Sequence, residues 1–122
     1  MSEHMEQVKF VAWYRKNFNE HKIFSVPNGG YRGDKKSAAI TGARLKAEGL
    51  LRGVHDLYIR RFQLWIEMKE DHTEKPTKEQ KEWGEYVTSL GDTWIVGHGF
   101  EDAKKKTLAY LKQRYNIEYE ND

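Results

Sequence analysis

A chain of 122 residues and 14.5 kDa, 38% hydrophobic and 33% charged, is sized for one domain around one core. The absence of cysteine excludes disulfides, thiolate zinc sites and thiol catalysis, and a net charge of +2 does not by itself advertise a nucleic-acid partner. Four Trp, seven Tyr and five Phe argue against disorder, and no run approaches the roughly 18 apolar residues of a membrane helix.

Taken in chain order, residues 4–18 read as a first helix, with Met5, Val8, Val11, Ala12 and Phe18 near helical spacing. The N-terminal "MSEHMEQVKF" lacks an apolar signal core, so the expected location is the cytoplasm. "KIFSVP" reads as a short strand stopped by Pro27 and the turn-forming "NGG" at 28–30. A second helix is expected over 37–48, from Ser37 as N-cap to Gly49 as its stop. "VHDLYI" and "FQLWIEMK" are two strand-like runs so close together that an antiparallel hairpin is the natural reading. Thr77 opens a third helix that runs to about Leu90 and ends at Gly91. "TWIVGH" makes a fourth strand, and a last helix runs from about Glu101 to Tyr115 with Ala103, Thr107, Tyr110 and Leu111 on one stripe. The order αβαββαβα predicts an α/β domain over 1–116, a mixed four-stranded sheet flanked by helices, with an acidic tail over 117–122.

The five histidines show no HExxH and no pair at helical ligand spacing, so any metal is expected to be a hard cation on oxygen ligands. Basic residues cluster as Arg32, Lys35, Lys36, Arg44 and Lys46, as Arg60 and Arg61, and as Lys104 to Lys106. Such clusters can line a phosphate path, although a solvated helix face is the better reading of the last run.

The chemistry concentrates in "GVHDLYIRRFQLWIEMK", residues 53–69. Period 2 sets Glu67 and Lys69 on one strand face, opposite Phe62, Leu64, Ile66 and Met68. A tight turn around Arg61 and Phe62 would bring Asp56 directly across from Glu67, with Cβ atoms roughly 4.5–5.5 Å apart. Two carboxylates so close repel, and a cation between them relieves the repulsion. Mg²⁺ suits such a pair, because it takes one or two carboxylates and keeps waters for a substrate phosphate. The Lys69 ammonium would point into the same space, able to orient an attacking water or neutralise charge building on phosphorus. The plain alternative is a surface pair of Lys69 with Glu67 or Glu70. Trp65, on that same face, either stacks on a base or packs under the third helix, and Trp83 and Trp94 read as core or interface.

An Asp followed by an ExK on the next strand, in αβββαβ order, resembles the PD-(D/E)xK nuclease superfamily with its restriction-endonuclease-like fold. "VPNGGYR", "GARLKAEGLLRGVHDL", "WIEMK" and "TKEQKEW" follow the order and spacing of its VRR-NUC (virus-type replication–repair nuclease) family, over roughly residues 3–113. The resemblance implies a Mg²⁺- or Mn²⁺-dependent DNA endonuclease of the phage stand-alone type, acting on branched, flap or Holliday-junction DNA. It implies metal held by Asp56, Glu67 and the Met68 carbonyl, with Lys69 as catalytic lysine and Gln80 beside it. Gln80 has a second reading as partner of Thr77 in a T-x-x-Q capping box. A first-helix glutamate near the metal is also implied, with Glu6 preferred and Glu3 as the alternative. Asn28, Gly29, Gly30, Arg32, Arg44, Lys46 and Arg52 would touch the nucleic acid. His55 stands where the family pattern has Pro, a change expected to cost a little rigidity. A homodimer is expected, with DNA as partner and neither membrane nor small-molecule cofactor. The competing expectations are a DNA-binding module that has lost cleavage and an α/β scaffold for protein contacts.

Overall fold

In the computed structural model, residues 2–27 and 42–119 are described. Helix α1 spans Glu3–Phe18 and starts at Ser2, whose hydroxyl accepts the Met5 N–H at 3.2 Å. Its inward face differs from the predicted stripe. Phe10 and Tyr14 are fully buried, whereas Met5 and Val8 are nearly half exposed and Ala12 faces solvent. The large aromatic rings of α1 bury far more area per residue than Val or Met, and they decide the helix's rotation.

Strand β1 is Ile23–Ser25, followed by helical residues 42–47 (α2), β2 at Leu57–Ile59 and β3 at Leu64–Lys69. Then come α3 at Lys78–Ser89, β4 at Thr93–His98 and α4 at Phe100–Tyr115. The expected Ser37 cap of α2 lies outside the described residues, but its stop is as expected: Gly49 has φ +114° and the next N–H returns to the Leu45 carbonyl. The sheet order is β1-β2-β3-β4, antiparallel for the first two pairs and parallel for β3 with β4, across the α3 connection. This is the expected mixed sheet.

One face of the sheet presents Leu57, Ile59, Leu64, Ile66 and Met68 to Phe10 and Tyr14 of α1 and to Ala103 and Leu111 of α4. The α4 stripe falls as predicted, with Ala103, Thr107 and Leu111 buried and the Tyr110 hydroxyl donating to the Phe62 carbonyl at 2.6 Å. Residues just beyond α4 lie back on α1: Ile117 packs on the core, and the Tyr119 hydroxyl donates to Asn17 at 2.9 Å. The β2–β3 turn is a 3₁₀ turn over Arg60–Phe62, closed by Gln63 in the left-handed region. Among the described residues, no helix is long and apolar enough to cross a membrane.

Candidate active site

The tight turn fixes the register. Leu57 pairs with Ile66 and Tyr58 with Trp65, so one step further Asp56 stands across from Glu67. Asp56 sits just before β2, where its Oδ2 accepts the Met68 N–H at 2.8 Å. In an extended strand a residue's N–H and C=O leave by the same edge, so the Met68 carbonyl faces the edge on which Asp56 stands.

Glu67 and Lys69 share the face away from the α1–α4 core, as period 2 requires, but that face is not a solvent face. Glu67 is 2% exposed and Lys69 7%. The same face carries an aromatic cover from α3 and the neighbouring strand. Trp65 stacks on Tyr58 with centroids 4.2 Å apart and meets the edge of Trp83 at 5.2 Å. Its indole N–H donates to Asp92 at 2.9 Å, so Trp65 is a packing residue. The surface-pair alternative for Lys69 fails on burial, since an ordinary exposed ion pair does not lie this deep.

Within that cover, one oxygen of Glu67 is held and the other is not. Oε2 accepts the Gln80 Nε2–H at 2.9 Å and faces the Lys69 ammonium at 3.5 Å. Oε1 is buried with no hydrogen-bond partner among the described residues. Burial, and then the negative charge of Asp56, pushes the Glu67 carboxyl up to about 8. Burial also raises Asp56, against the Met68 N–H that lowers it. The two carboxylates thus sense one another, and one of them carries a buried acceptor without a donor among the described residues. Hard-cation chemistry fits this donor set: two carboxylates and a backbone carbonyl converging beside a lysine. No cluster of three or more His, Asp or Glu side chains suited to a metal occurs among the described residues, so the backbone oxygen is integral to this fit.

The two readings of Gln80 are both realised. Its Oε1 accepts the Thr77 N–H at 2.9 Å and its own N–H donates to the Thr77 hydroxyl at 3.2 Å, closing the capping box. Its Nε2 meanwhile braces Glu67. One carboxamide therefore starts α3 with its oxygen and orients the site with its nitrogen.

His55 is fully buried, and its Nε2–H donates to the Gln80 carbonyl at 2.9 Å. Its ring lies 4.8 Å from Trp94, and burial pushes its pKa down, which keeps it neutral. The expected loss of rigidity is thus offset: the segment entering β2 is tied to α3 through this imidazole. Gly53, at φ +96°, packs so closely on the Glu79 backbone that a Cβ there would collide with the Glu79 carbonyl. No sequence pattern pointed to this bond, though a His within a run of strand residues was a visible irregularity.

The two first-helix glutamates have different surroundings. Glu6 Oε1 accepts the Phe100 N–H at the start of α4 at 3.0 Å, and its Oε2 faces Lys9 at 3.5 Å. Glu3 instead feels Asp56 and Lys69, and burial first and Asp56 next raise its pKa. Both glutamates share the inner side of α1, but the positive end of α4 claims Glu6.

Of the expected nucleic-acid contacts, Asn28, Gly29, Gly30 and Arg32 lie outside the described residues. Lys46 and Arg52 line a groove of about 660 Å³ together with Gly53, Thr77 and Gln80, beside the Glu67 brace. Arg44 does not line it and pairs with Glu48 at 3.4 Å. Lys106 bonds the Val96 carbonyl and Asp102, while Lys104 lies over the rings of Trp13 and Phe100, so this basic run belongs to the fold.

No family model and no curated protein matches the chain. Among solved structures, one described as a "VRR_NUC domain protein" is similar with a TM-score of 0.73 at 22% identity, over 92% of this chain and 89% of that one. The likeness shows the fold, and the restriction-endonuclease-like α/β architecture expected from the sequence is the one observed.

Proposed function

We propose that this protein is a VRR-NUC nuclease, a divalent-metal-dependent DNA endonuclease. The observation that carries the reading is the Asp56–Glu67–Lys69 cluster, in which Glu67 and Lys69 are buried and Glu67 Oε1 has no donor among the described residues, set in a fold shared with a VRR_NUC domain protein. A Mg²⁺ or Mn²⁺ ion held by Asp56, Glu67 and the Met68 carbonyl would supply Lewis acidity and a more acidic water. The protein's own groups do the rest. Gln80 fixes Glu67 Oε2 and leaves Oε1 for the cation, and the Met68 N–H does the same for Asp56. Lys69 Nζ, held by Glu67, orients the attacking water and balances charge on the phosphoryl oxygens. Water oxygen bonds to phosphorus in line as the bond to the 3′ oxygen breaks, and that oxygen takes up a proton. The ends are a 5′-phosphate and a 3′-hydroxyl. Glu3, which senses the charges of Asp56 and Lys69, is the α1 carboxylate assigned to this chemistry, and Lys46 and Arg52 flank the path of the backbone.

Branched DNA is the substrate proposed, and a homodimer gripping two duplex arms suits a unit this small. The test is cleavage of labelled duplex, nicked, flap and four-way-junction DNA in EDTA, Ca²⁺, Mg²⁺ and Mn²⁺. Cutting is expected with Mg²⁺ or Mn²⁺ alone, abolished in Asp56→Ala and Lys69→Ala. Binding without cutting under every metal would reject the enzyme and leave a DNA-binding module. With neither, the reading falls.

A further inference from the structure

The groove beside Gln80 does not end at Arg52. Leu51 and Arg52 also belong to a second groove of about 460 Å³, completed by Glu79, Glu82, Trp83 and Tyr86 of α3. The chemistry changes along the way. Near Gln80 the lining mixes the aliphatic Leu50 and Leu51 with the polar Thr77 and Gln80 and the cations Lys46 and Arg52, and it holds no aromatic ring among the described residues. Beyond Arg52 it becomes aromatic and aliphatic: Tyr86 is 55% exposed and Leu51 56%, among the most exposed large apolar residues described. The Trp83 and Tyr86 rings lie 5.4 Å apart at 43°, one wall of the groove, and Trp83 is held from behind by the edge of Trp65. Glu79 and Glu82 on the same helix put negative charge around this second part.

Resting on the nuclease reading, we infer that this second groove is a stacking site for an unpaired nucleobase next to the scissile phosphate. Three properties select that occupant. Every base has an apolar face that stacks on Tyr or Trp, and stacking surfaces of this kind are how single strands are held without sequence preference. Glu79 and Glu82 repel phosphate, which turns the backbone back toward Arg52 and Lys46 and leaves the uncharged base for the aromatic wall. A base can offer its face to a protein wall only when it is unstacked from its neighbours, as in a tail, flap or junction arm. Continuity with the Gln80 groove through Leu51 and Arg52 sets that base beside the cluster that would cut. Selection for branched DNA then arises within a single subunit.

The test measures binding by the full chain in Ca²⁺. The probes are one hairpin duplex in three forms: blunt, with a short unpaired tail, and with the same tail built of abasic units. A 2-aminopurine in the tail reports stacking. The base-bearing tail is expected to bind about tenfold more tightly than the abasic one, with quenched 2-aminopurine. Tyr86→Phe should keep that ratio, and Tyr86→Ala should lose most of it. Arg52→Gln should weaken both tails alike and reduce the salt dependence. Equal binding of the two tails, or an unchanged ratio in Tyr86→Ala, overturns the inference. So does a DNA-free dimer that Tyr86→Ala converts to monomer, because the aromatic wall would then face a second copy. Intact metal-dependent cutting with equal tail binding rejects this site alone. Failure to bind any of the three probes removes the nuclease reading with it.

Discussion

Two neighbours entering the hairpin, the buried His55 and the half-buried Asp56, bring opposite pH demands into one small volume, and Glu67 sharpens the conflict. Glu67 has a folded pKa raised from 4.5 to about 8, so the metal-free fold binds its proton more tightly than the unfolded chain does. That contribution is complete below about pH 4.5 and is lost as pH rises toward 8. His55 is lowered from 6.5 by burial, so its contribution is present above 6.5 and lost as pH falls. Thermal melting in EDTA is therefore expected to peak near mildly acidic pH and to fall by several degrees on the alkaline side. Glu67→Gln should flatten the alkaline limb and leave the acid limb in place. An alkaline limb unchanged in Glu67→Gln would show that Glu67 is not the group responsible. At this same scale the sequence was informative about identity and poor about partners. Asp56, Glu67 and Lys69 could be chosen because alternation and a tight turn bring them together. Glu3 and Glu6 are three residues apart on one helix and share a side. What separates them is the Phe100 N–H, which is ninety-four positions away and invisible to local pattern.

Among the elements, the start of α3 carries the most consequence. Thr77 and Gln80 close a capping box there, while Gln80 also braces Glu67. The two duties can be separated by substitution. Thr77→Ala should cost about 1 kcal/mol of stability through the lost cap and leave cutting nearly intact. Gln80→Ala should cost a similar amount in a denaturant melt but lower cutting by about 10- to 100-fold, because the orientation of Glu67 goes with it. Equal activity loss in both variants would assign the effect to helix fraying. The sequence let either role be read for Gln80 because it contains the T-x-x-Q spacing and the distance to the ExK. That one carboxamide serves both follows from its having an acceptor and a donor at opposite ends. The rotation of α1 was not legible, because Met5 and Val8 satisfy helical spacing as well as Phe10 and Tyr14 do. Ring area settled it. The hairpin register and the α4 stripe were legible because a short turn and a single small-residue stripe leave few alternatives.

Over the whole molecule, the repulsion between Asp56 and Glu67 makes the metal-free fold less stable than its core alone would allow. A divalent ion that binds only the folded state raises stability by mass action, about 2.7 kcal/mol at one hundred times its dissociation constant. Mn²⁺ titration at pH 8 is thus expected to raise the melting temperature by several degrees, and Asp56→Ala should abolish the increase. A shift that persists in Asp56→Ala would place the ion elsewhere. The expectation of a four-stranded mixed sheet held throughout, since element order and loop lengths constrain it strongly. The grooves did not announce themselves in the sequence: Leu51 and Arg52 come from one segment and Tyr86 from another, and they acquire a joint meaning only when α3 packs beside the segment that enters the hairpin.

The bond from Phe100 to Glu6 joins the first helix to the last, and Trp13 of α1 also meets Phe100, with ring centroids 6.4 Å apart. During synthesis α1 leaves the ribosome long before α4, at roughly 5–20 residues per second. Until Phe100 emerges, the Glu6 carboxylate has only Lys9 of its own helix as a partner among the described residues, and the helix that carries Glu3 lacks its late anchor. A nascent chain can already pack Phe10 and Tyr14 of that helix on the strands, but it cannot yet pin the first turns through Glu6. The fold thus makes the final setting of the helix that carries Glu3 depend on a contact ninety-four positions away, a dependence that a purely local helix would not have.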